Sequence, residues 1–465
     1  MENSALMGVF FWGFLLVYGL LMYALSPRAV TLGGFFLGED AQGRSAAPWL
    51  LTSSIFISWI FAKSVTNAAN LGASYGLIGG LAYATYWLSI PLAGFVIFRL
   101  RRRFGATGLV SFLTSHYGRA AALAFTAAIL IRLFNEVWSN TAVVGGYYGD
   151  AGSASFIGAA LLFTGVTLAY SLRGGLRSSI LTDAAQAAIF LIALLWVLGL
   201  ALPRHSVGEL TSTSHWAMNA GVDLLLVAGL QIFSYPFHDP VLTDRGFISD
   251  EQSMRRSFVI AGVLGFLAIL AFSLIGVHAT LTGIAASDNV PAALAKSMGV
   301  VALMVMTVVM VSAAGSTLDS TFSSLAKLAG RELPALAGRD LGQKAIGVGI
   351  ATMVIFAVLG NLPMLAGTDI LKATTISGTM VIGMAPVFIL HGLVRPTRLG
   401  FHLSFWTGIG LGTALVLGWI PQSWAIGDGK YALLLGTNLY GLGLCVLGYL
   451  LPGWFAAANS RQAAA

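Results

Sequence analysis

The sequence predicts an all-α integral membrane protein with about thirteen transmembrane helices. Of its 465 residues, 57% are hydrophobic and only 9% are charged, whereas soluble globular domains carry about 25% charged residues. The apolar residues form long continuous runs, and each run approaches the roughly 20 residues that a helix needs to cross a bilayer. Strands of a membrane barrel would instead alternate apolar and polar residues. We therefore expect residues 1–465 to form a single transmembrane domain.

The apolar runs divide into one N-terminal helix, two groups of five and two C-terminal helices. The run at 7–26 follows a stretch without basic residues, so it predicts a transmembrane helix rather than a secretory signal peptide. We expect the two five-helix repeats at 49–202 and 220–392, and the extra C-terminal helices at 400–452. Helices in these regions are predicted at 49–72, 78–99, 119–146, 155–172, 178–202, 220–243, 255–282, 298–326, 344–360, 367–392, 400–420 and 431–452.

The net charge of +7 is spread over short loops, which indicates membrane topology rather than nucleic-acid binding. With thirteen helices, the basic loops all lie on one side, which the positive-inside rule makes cytoplasmic. The N-terminus is then outside the cell membrane and the C-terminus inside. The single cysteine, Cys445, excludes an internal disulfide and a cysteine-based metal cluster. The basic loops are 99–103, 173–177, 255–256, 327–344 and 395–398.

Two predicted spans contain residues that interrupt a membrane helix. The segment 54–76 places Lys63 among small and polar residues, and the segment 232–244 contains Pro236 and Pro240. Each segment belongs to the first helix of its repeat. Interrupted helices at matching positions in two halves indicate a binding site near the bilayer midplane, because unwound backbone at that depth must line a cavity or be buried in protein.

Three motifs resemble the sodium/solute symporter family, which has the leucine-transporter-type inverted-repeat fold. GGLRSSILTDAAQ at 174–186 resembles the start of the family's fifth core helix, VMVSAAGSTLDSTFSSLAK at 309–327 its eighth, and the segment 54–76 its first. The resemblance covers nearly the whole chain. It implies a symporter, not an enzyme, that imports a small polar organic solute by alternating access, driven by a cation that is expected to be Na⁺. No other cofactor is implied.

The resemblance also implies binding residues. Backbone carbonyls from the first and eighth core helices and one hydroxyl would bind Na⁺, while Ala313 stands where the family has a second hydroxyl. An acid and a hydroxyl match a further cation site, in which Gly315 replaces another hydroxyl. The Na⁺ ligands are Ile57, Ile60, Val309 and Ser312, the further cation site is Asp183 and Ser316, and the substrate contacts are Lys63, Ser64, Glu136 and Tyr235.

The role of Lys63 has three alternatives. Its ammonium group can bind an anionic or carbonyl-bearing substrate. It can instead replace a cation and couple transport to protons together with Asp183, or it can form a static ion pair with Glu136 or Asp183. Arg132 and Glu136 are four residues apart, so an intrahelical pair is also expected.

Several other residues carry weaker expectations. Asp319, three residues beyond Ser316, is a candidate cation or gating residue, and His238 and Asp239 are expected near the cytoplasmic end in a solvated role. Lys372 is expected to extend toward the outer surface. Hydroxyls that are candidates to line the cavity are Thr374, Thr375 and Ser377.

The substrate stays open at this point. The segment 67–87 resembles the urea-transporting branch of the family, and urea, an amino acid or a carboxylate are the candidates. An alternative of another class is a membrane sensor that binds solute without moving it. Such sensors usually carry a signalling domain, and no soluble stretch in these residues is expected to exceed a short loop.

Overall fold

A computed structural model describes residues 2–284, 287–366 and 377–462, with side chains from residue 7 to residue 456. The regular elements in this part of the chain are helices, which confirms the all-α prediction. Ten of the described helices are long and apolar enough to cross a membrane. The predicted number of thirteen is not confirmed. The run Ala62–Phe104 joins the second half of the span predicted at 49–72 to the span predicted at 78–99, and the two interrupted spans appear as shorter pieces.

We number the described α-helices in chain order. They are α1 Glu2–Leu25, α2 Leu32–Leu37, α3 Pro48–Ser58, α4 Ala62–Ala84, α5 Ser89–Phe104, α6 Leu109–Tyr117, α7 Arg119–Tyr148, α8 Ala154–Gly174, α9 Leu176–Ala201, α10 Val207–Ser212, α11 Val222–Gln231, α12 Pro240–Thr243, α13 Glu251–Leu281, α14 Val290–Met298, α15 Val300–Lys327, α16 Leu333–Leu336, α17 Lys344–Leu359, α18 Met384–Ile389, α19 Arg398–Val416 and α20 Ala432–Gln462.

Both expected interruptions are present. Helix α3 ends at Ser58 and α4 begins at Ala62, so Trp59–Phe61 separates the two halves of the first interrupted span. Helix α11 ends at Gln231, and α12 begins only at Pro240. The first break lies ahead of Lys63, whereas the small and polar residues after Lys63 stay helical.

Glycines bring α4 into direct backbone contact with α13. A Cβ atom added at Gly72 would lie 2.1 Å from the carbonyl oxygen of Ser273, and one at Gly276 would lie 1.8 Å from that of Ala69. Small residues allow such close approach between membrane helices. This packing fixes the position of α4, whose first turn carries Lys63.

A sharp kink at Gly76 separates the spans predicted at 49–72 and 78–99, and we expect Gly76→Ala to destabilise the protein. Gly76 has φ +60°, and an added Cβ would lie 2.4 Å from Ser214 Oγ. Gly105→Ala is the matched control, because Gly105 has φ +66° but open space around it. Gly105 is in the left-handed helical region, with ψ +25°, which costs an alanine about 1–2 kcal/mol. Gly76 has ψ −145°, a conformation that glycine adopts far more readily than alanine, and it also lacks space for a Cβ. The unfolding temperature should therefore fall further for Gly76→Ala than for Gly105→Ala, and equal losses would contradict this prediction.

The predicted tenth core helix, 367–392, lies partly outside the described residues. Lys372, Thr374 and Thr375 are among the residues outside the description. The described part of this span ends in α18, and α19 and α20 then provide the two extra C-terminal helices. The boundaries of the two repeats stay a prediction.

Candidate functional site

The two helix breaks lie against each other. The rings of Trp59, from the first break, and Tyr235, from the second, have centroids 6.1 Å apart. The indole Nε1 of Trp59 also donates a hydrogen bond of 3.1 Å to Asp239 Oδ2. Unwound backbone from both spans therefore encloses one buried polar region, as the interrupted sequences predict.

A network of four charged side chains fills this region, which we call the Lys63 network: Lys63, Arg132, Glu136 and Asp239. Lys63 Nζ lies 2.7 Å from Glu136 Oε1, which also pairs with Arg132 Nη1. Arg132 Nη2 lies 2.9 Å from Asp239 Oδ2. All four side chains are at most 1% exposed. Two positive and two negative groups make the network neutral.

The network holds the first turn of α4 in place. Asn140 Oδ1 accepts a 3.1 Å hydrogen bond from the backbone N–H of Ala62, and Asn140 Nδ2 donates one of 3.0 Å to Glu136 Oε2. The N–H groups at a helix start have no intrahelical partner, so this bond satisfies one of them. Helix α7 thus orients Glu136 and the start of α4 together.

A cavity of about 20 Å³ lies beside the network. Of the four predicted substrate contacts, Lys63, Ser64 and Tyr235 line it, whereas Glu136 reaches it only through Lys63. The helix break therefore does bring three of the four together. Aromatic rings line the rest of the cavity; they belong to Trp59, Phe61, Tyr83, Tyr86 and Trp87.

A second buried network joins α9 to α15 and contains two acids, Asp183 and Asp319, and one base, Arg245. Arg245 Nη2 lies 3.1 Å from Asp183 Oδ2, and Ser316 donates a hydrogen bond to Asp183 Oδ1. The Ser179 hydroxyl connects the acids, at 3.4 Å from Asp183 Oδ2 and 2.7 Å from Asp319 Oδ1. We call this the Asp183 network.

Asp319 forms no ion pair with any described residue. Tyr170 Oη and Thr182 Oγ1 each donate to Asp319 Oδ2 at 3.0 Å. With both carboxyl groups ionised, the Asp183 network carries one negative charge more than Arg245 neutralises. An uncompensated charge buried in protein is strongly destabilising, so this cluster favours a bound cation or a proton.

The described contacts locate only some of the predicted Na⁺ ligands. Ile57 lies in the last turn of α3, where its carbonyl accepts a 3.0 Å bond from the N–H of Ile60. In the described chain the buried Ser312 hydroxyl has no hydrogen-bond partner. A bound cation would supply the missing partner for the Ser312 oxygen. Further along α15, Thr317 Oγ1 donates a 3.2 Å hydrogen bond to the carbonyl oxygen of Ser58, the last residue of α3 before the first break.

The structure answers one question about Lys63 and corrects a second expectation. Of the alternatives for Lys63, the ion pair with Glu136 is formed, and Asp183 is paired with Arg245 instead. The expected solvated role of His238 and Asp239 is wrong, since the two residues are 2% and 0% exposed. Asp239 caps α12 and pairs with Arg132, which stabilises a carboxylate away from water.

Sequence reasoning missed Arg245, which completes the Asp183 network, and most of the aromatic residues that line the cavity. Arg245 lies beyond the predicted sixth core helix, and no local pattern links it to α9. The cavity aromatics had a signal, since Tyr83, Tyr86 and Trp87 have the i, i+3, i+4 spacing of one helix face.

A third ion cluster lies at the C-terminal end of α15. Lys327 Nζ lies 2.5 Å from Asp244 Oδ1 and 3.3 Å from Glu332 Oε1. Lys327 and Glu332 also line a cavity of about 570 Å³, beside the predicted cytoplasmic loops. These ion pairs connect the chain that follows the second break to the end of α15.

Comparison with known proteins identifies the family of this chain and proteins of similar fold. A model of the sodium:solute symporter family matches residues 35–335. Over 234 residues the chain is 28% identical to the sodium/glucose cotransporter 1 of Ovis aries, a match that covers 47% of this chain and 32% of that protein. Over 179 residues it is 25% identical to the sodium/pantothenate symporter of Escherichia coli (strain K12), covering 38% of this chain and 37% of the relative. The matches thus span about a third of these relatives.

Solved structures extend the similarity to the whole fold. The outward-open, substrate-bound state of a Na⁺-coupled sialic acid symporter has a TM-score of 0.73 at 13% identity, covering 97% of both chains. The nucleobase-cation-symport-1 family transporter Mhp1, in a closed conformation, has a TM-score of 0.56 at 13% identity, covering 94% of this chain and 95% of that one. The predicted leucine-transporter-type architecture is therefore confirmed.

Proposed function

Because this chain belongs to the sodium:solute symporter family and is a multi-pass membrane protein, we propose that it imports a small polar organic solute together with a cation, expected to be Na⁺. The observation that most directly supports the proposal is the unpaired Asp319 carboxylate in the Asp183 network. A cation bound there compensates the buried charge, and its release to the cytoplasm restores the unfavourable state. Solute and cation then move by alternating access around the two helix breaks.

Coupling has a simple thermodynamic form in this proposal. A cation that stabilises one conformation raises the affinity for a solute that binds the same conformation, and the solute raises the affinity for the cation equally. The ion cluster around Lys327 suits a cytoplasmic gate, because it joins the segment after the second break to α15. Closing this gate separates the solute cavity from the cytoplasm.

Reconstitution into proteoliposomes tests the function. Purified protein is given an inward Na⁺ gradient or an equal K⁺ gradient, and uptake of radiolabelled urea, an amino acid and a carboxylate is measured. We expect accumulation of one solute class only with Na⁺. Accumulation driven by a pH gradient without Na⁺ would favour the proton-coupled alternative. Solute binding without gradient-driven accumulation would favour the membrane sensor.

The proton-coupled alternative must involve two separate networks. Lys63 pairs with Glu136, while Asp183 pairs with Arg245, so the two residues do not exchange a proton through a direct contact. The unpaired Asp319 is the better proton acceptor of this cluster.

The Ser312 hydroxyl gives a prediction about the cation ligands. If Ser312 binds Na⁺ with the carbonyls of Ile57, Ile60 and Val309, Ser312→Ala should weaken Na⁺ binding roughly tenfold or more, the scale of a hydrogen bond to a charge. Binding is measured as the rise in thermal unfolding temperature when Na⁺ replaces K⁺. Thr307→Val is the matched control, since Thr307 lies on α15 and bonds to its own helix backbone.

Ser312→Ala has a second expected effect, on stability without Na⁺, and a result that would contradict the assignment. A buried hydroxyl without a partner destabilises the protein, so Ser312→Ala should raise the unfolding temperature in K⁺ whether or not a cation binds there. An unchanged Na⁺ response in Ser312→Ala, together with a lost response in Ser316→Ala, would move the cation to the Asp183 network.

A further inference from the structure

The cavity beside the Lys63 network is enclosed by a closed ring of five aromatic side chains. Following the ring, centroid distances are 6.4 Å, 5.8 Å, 5.9 Å, 5.5 Å and 6.1 Å, and each pair is tilted or edge-on. Four elements contribute: the first break, the end of α4, the short 3₁₀ helix Thr85–Leu88 that follows it, and the second break. In ring order the residues are Trp59, Trp87, Tyr83, Tyr86 and Tyr235.

The wall of the closed cavity is almost entirely apolar, but polar groups of two lining residues lie directly behind it and can donate hydrogen bonds. Lys63 Nζ uses two of its three N–H bonds, at 2.7 Å to Glu136 Oε1 and 3.1 Å to Ser139 Oγ. Ser64 Oγ accepts a 3.2 Å bond from the Tyr83 hydroxyl, which leaves its own proton available. Among the described residues, neither the third N–H of Lys63 nor the Ser64 O–H has a further acceptor. A bound solute with an acceptor oxygen satisfies both.

The Lys63 network also restricts the charge of the solute. Its two cations and two carboxylates already balance, and all are buried. An anion or a cation in the cavity would add a charge without a partner, which is unfavourable in a membrane interior. An uncharged solute leaves the balance unchanged, while the coupling cation compensates Asp319 in the other network.

The aromatic ring restricts the shape and polarity. Aromatic side chains pack well against flat groups, either stacked or edge to face. A sugar carries many hydroxyl groups. The five rings and the few free donors, which are Lys63 Nζ, Ser64 Oγ and Trp87 Nε1, would leave most of those hydroxyls without partners, which weakens binding strongly. The ring therefore favours a small flat solute with few polar atoms.

We propose that the cavity binds an uncharged planar solute with a carbonyl oxygen, the chemistry of amides and ureides. This proposal rests on the proposed transport function and names its substrate class. The carbonyl oxygen accepts hydrogen bonds from Lys63 Nζ and Ser64 Oγ, and the flat body lies within the five aromatic rings. Because the cavity measures only about 20 Å³, the rings must move apart to admit the solute.

Direct binding by the purified full-length protein tests the class. The probes are hydantoin and urea as uncharged ureides, benzoate as a planar anion, choline as a cation and glucose as a polyhydroxyl solute. Binding is followed by thermal unfolding and by the change in intrinsic tryptophan fluorescence, to which Trp59 and Trp87 contribute, both at millimolar ligand. We expect hydantoin or urea to bind and benzoate, choline and glucose not to bind. Preferential binding of a charged solute or of glucose, or no binding of either ureide, would overturn the proposal.

Variants locate the binding in this cavity. Ser64→Ala should weaken ureide binding threefold to tenfold, the range for one neutral hydrogen bond, and Trp87→Leu should weaken it further. Trp216→Leu is the control, because Trp216 is 70% exposed and outside the ring. Equal ureide affinity in Ser64→Ala and Trp216→Leu would remove the solute from this site.

Transport assays separate this proposal from the general function. Na⁺-driven accumulation of benzoate or choline without ureide binding contradicts the substrate class and leaves symport intact. If a ureide binds but no ion gradient drives its accumulation, the substrate class is supported and the proposed symport is contradicted. If folding limits Trp87→Leu, Trp87→Phe retains a ring with less surface and should give an intermediate affinity.

Discussion

Glu136→Gln is expected to destabilise the protein more than Lys63→Met, although each change breaks the same ion pair. Glu136 accepts from both Lys63 and Arg132. Without the Glu136 charge, Lys63 keeps the Ser139 hydroxyl and the face of the Phe61 ring in the described chain, but no carboxylate. Removing one partner of a buried ion pair costs about 3–5 kcal/mol, and Glu136→Gln should reach that range.

Lys63→Met leaves the remaining groups better paired. Glu136 keeps Arg132 and the Asn140 side chain, so its carboxylate still has two donors. The free energy of unfolding should therefore fall by less than in Glu136→Gln. Both variants should lose solute uptake, because Lys63 lines the cavity and Glu136 holds it.

The double variant tests the charge balance itself. Lys63→Met with Glu136→Gln leaves Arg132 paired with Asp239, so the network is neutral again. We expect the double variant to unfold at a higher temperature than Glu136→Gln alone, which gives a large interaction energy in the double-mutant cycle. Asp40→Asn provides the comparison for an exposed pair, since Arg44 is 73% exposed and such pairs contribute about 0–1 kcal/mol. If the double variant loses the sum of the two single losses in unfolding free energy, the proposed charge balance of the Lys63 network is contradicted.

Local signals in the sequence were sufficient to predict the all-α membrane class, most helix positions and both helix breaks. Apolar runs of membrane length set the positions of most helices, and prolines such as Pro236 and Pro240 marked the second break. Lys63 marked the first break to within one turn, because a buried lysine requires a polar partner nearby. These signals act locally along the chain, so one sequence is enough to detect them.

The partners of the buried charges could not be predicted in the same way. Lys63 had two candidate acids, and the choice of Glu136 depends on how α4 packs against α7. Gly315 gives a second example. From the sequence it was a lost hydroxyl, but a Cβ there would lie only 1.9 Å from the Tyr18 hydroxyl of α1. The absence of a side chain makes room for a hydroxyl from a distant helix, which no local motif specifies.

Tyr18 shows how far the Asp183 network extends. Its hydroxyl accepts a 2.7 Å bond from Gln186 Nε2, which also lies 3.3 Å from Tyr170 Oη. Tyr170 in turn donates to Asp319. The N-terminal helix α1, outside the two predicted repeats, thus contributes to the surroundings of the proposed cation.

Asp319→Asn is expected to abolish the response to the coupling cation while making the cation-free protein more stable. The substitution keeps the shape of the side chain and removes the charge that Arg245 does not neutralise. The gain in Na⁺-free stability follows because an uncompensated buried carboxylate is destabilising. Loss of a charged ligand should weaken Na⁺ binding on the order of a hundredfold, two factors of ten at about 1.4 kcal/mol each.

Asp183→Asn separates the effect of Asp319→Asn from the effect of removing any one negative charge from the Asp183 network. It also removes one negative charge, but it leaves Arg245 without its ion-pair partner, so the Na⁺-free protein should become less stable instead of more stable. Asp340→Asn, at an exposed position, should change neither quantity. Thermal unfolding in Na⁺ and in K⁺ measures both effects on the same samples. If Asp319→Asn keeps the full Na⁺-dependent rise in unfolding temperature, the unpaired carboxylate does not bind the cation, and the coupling site must lie nearer Ser312.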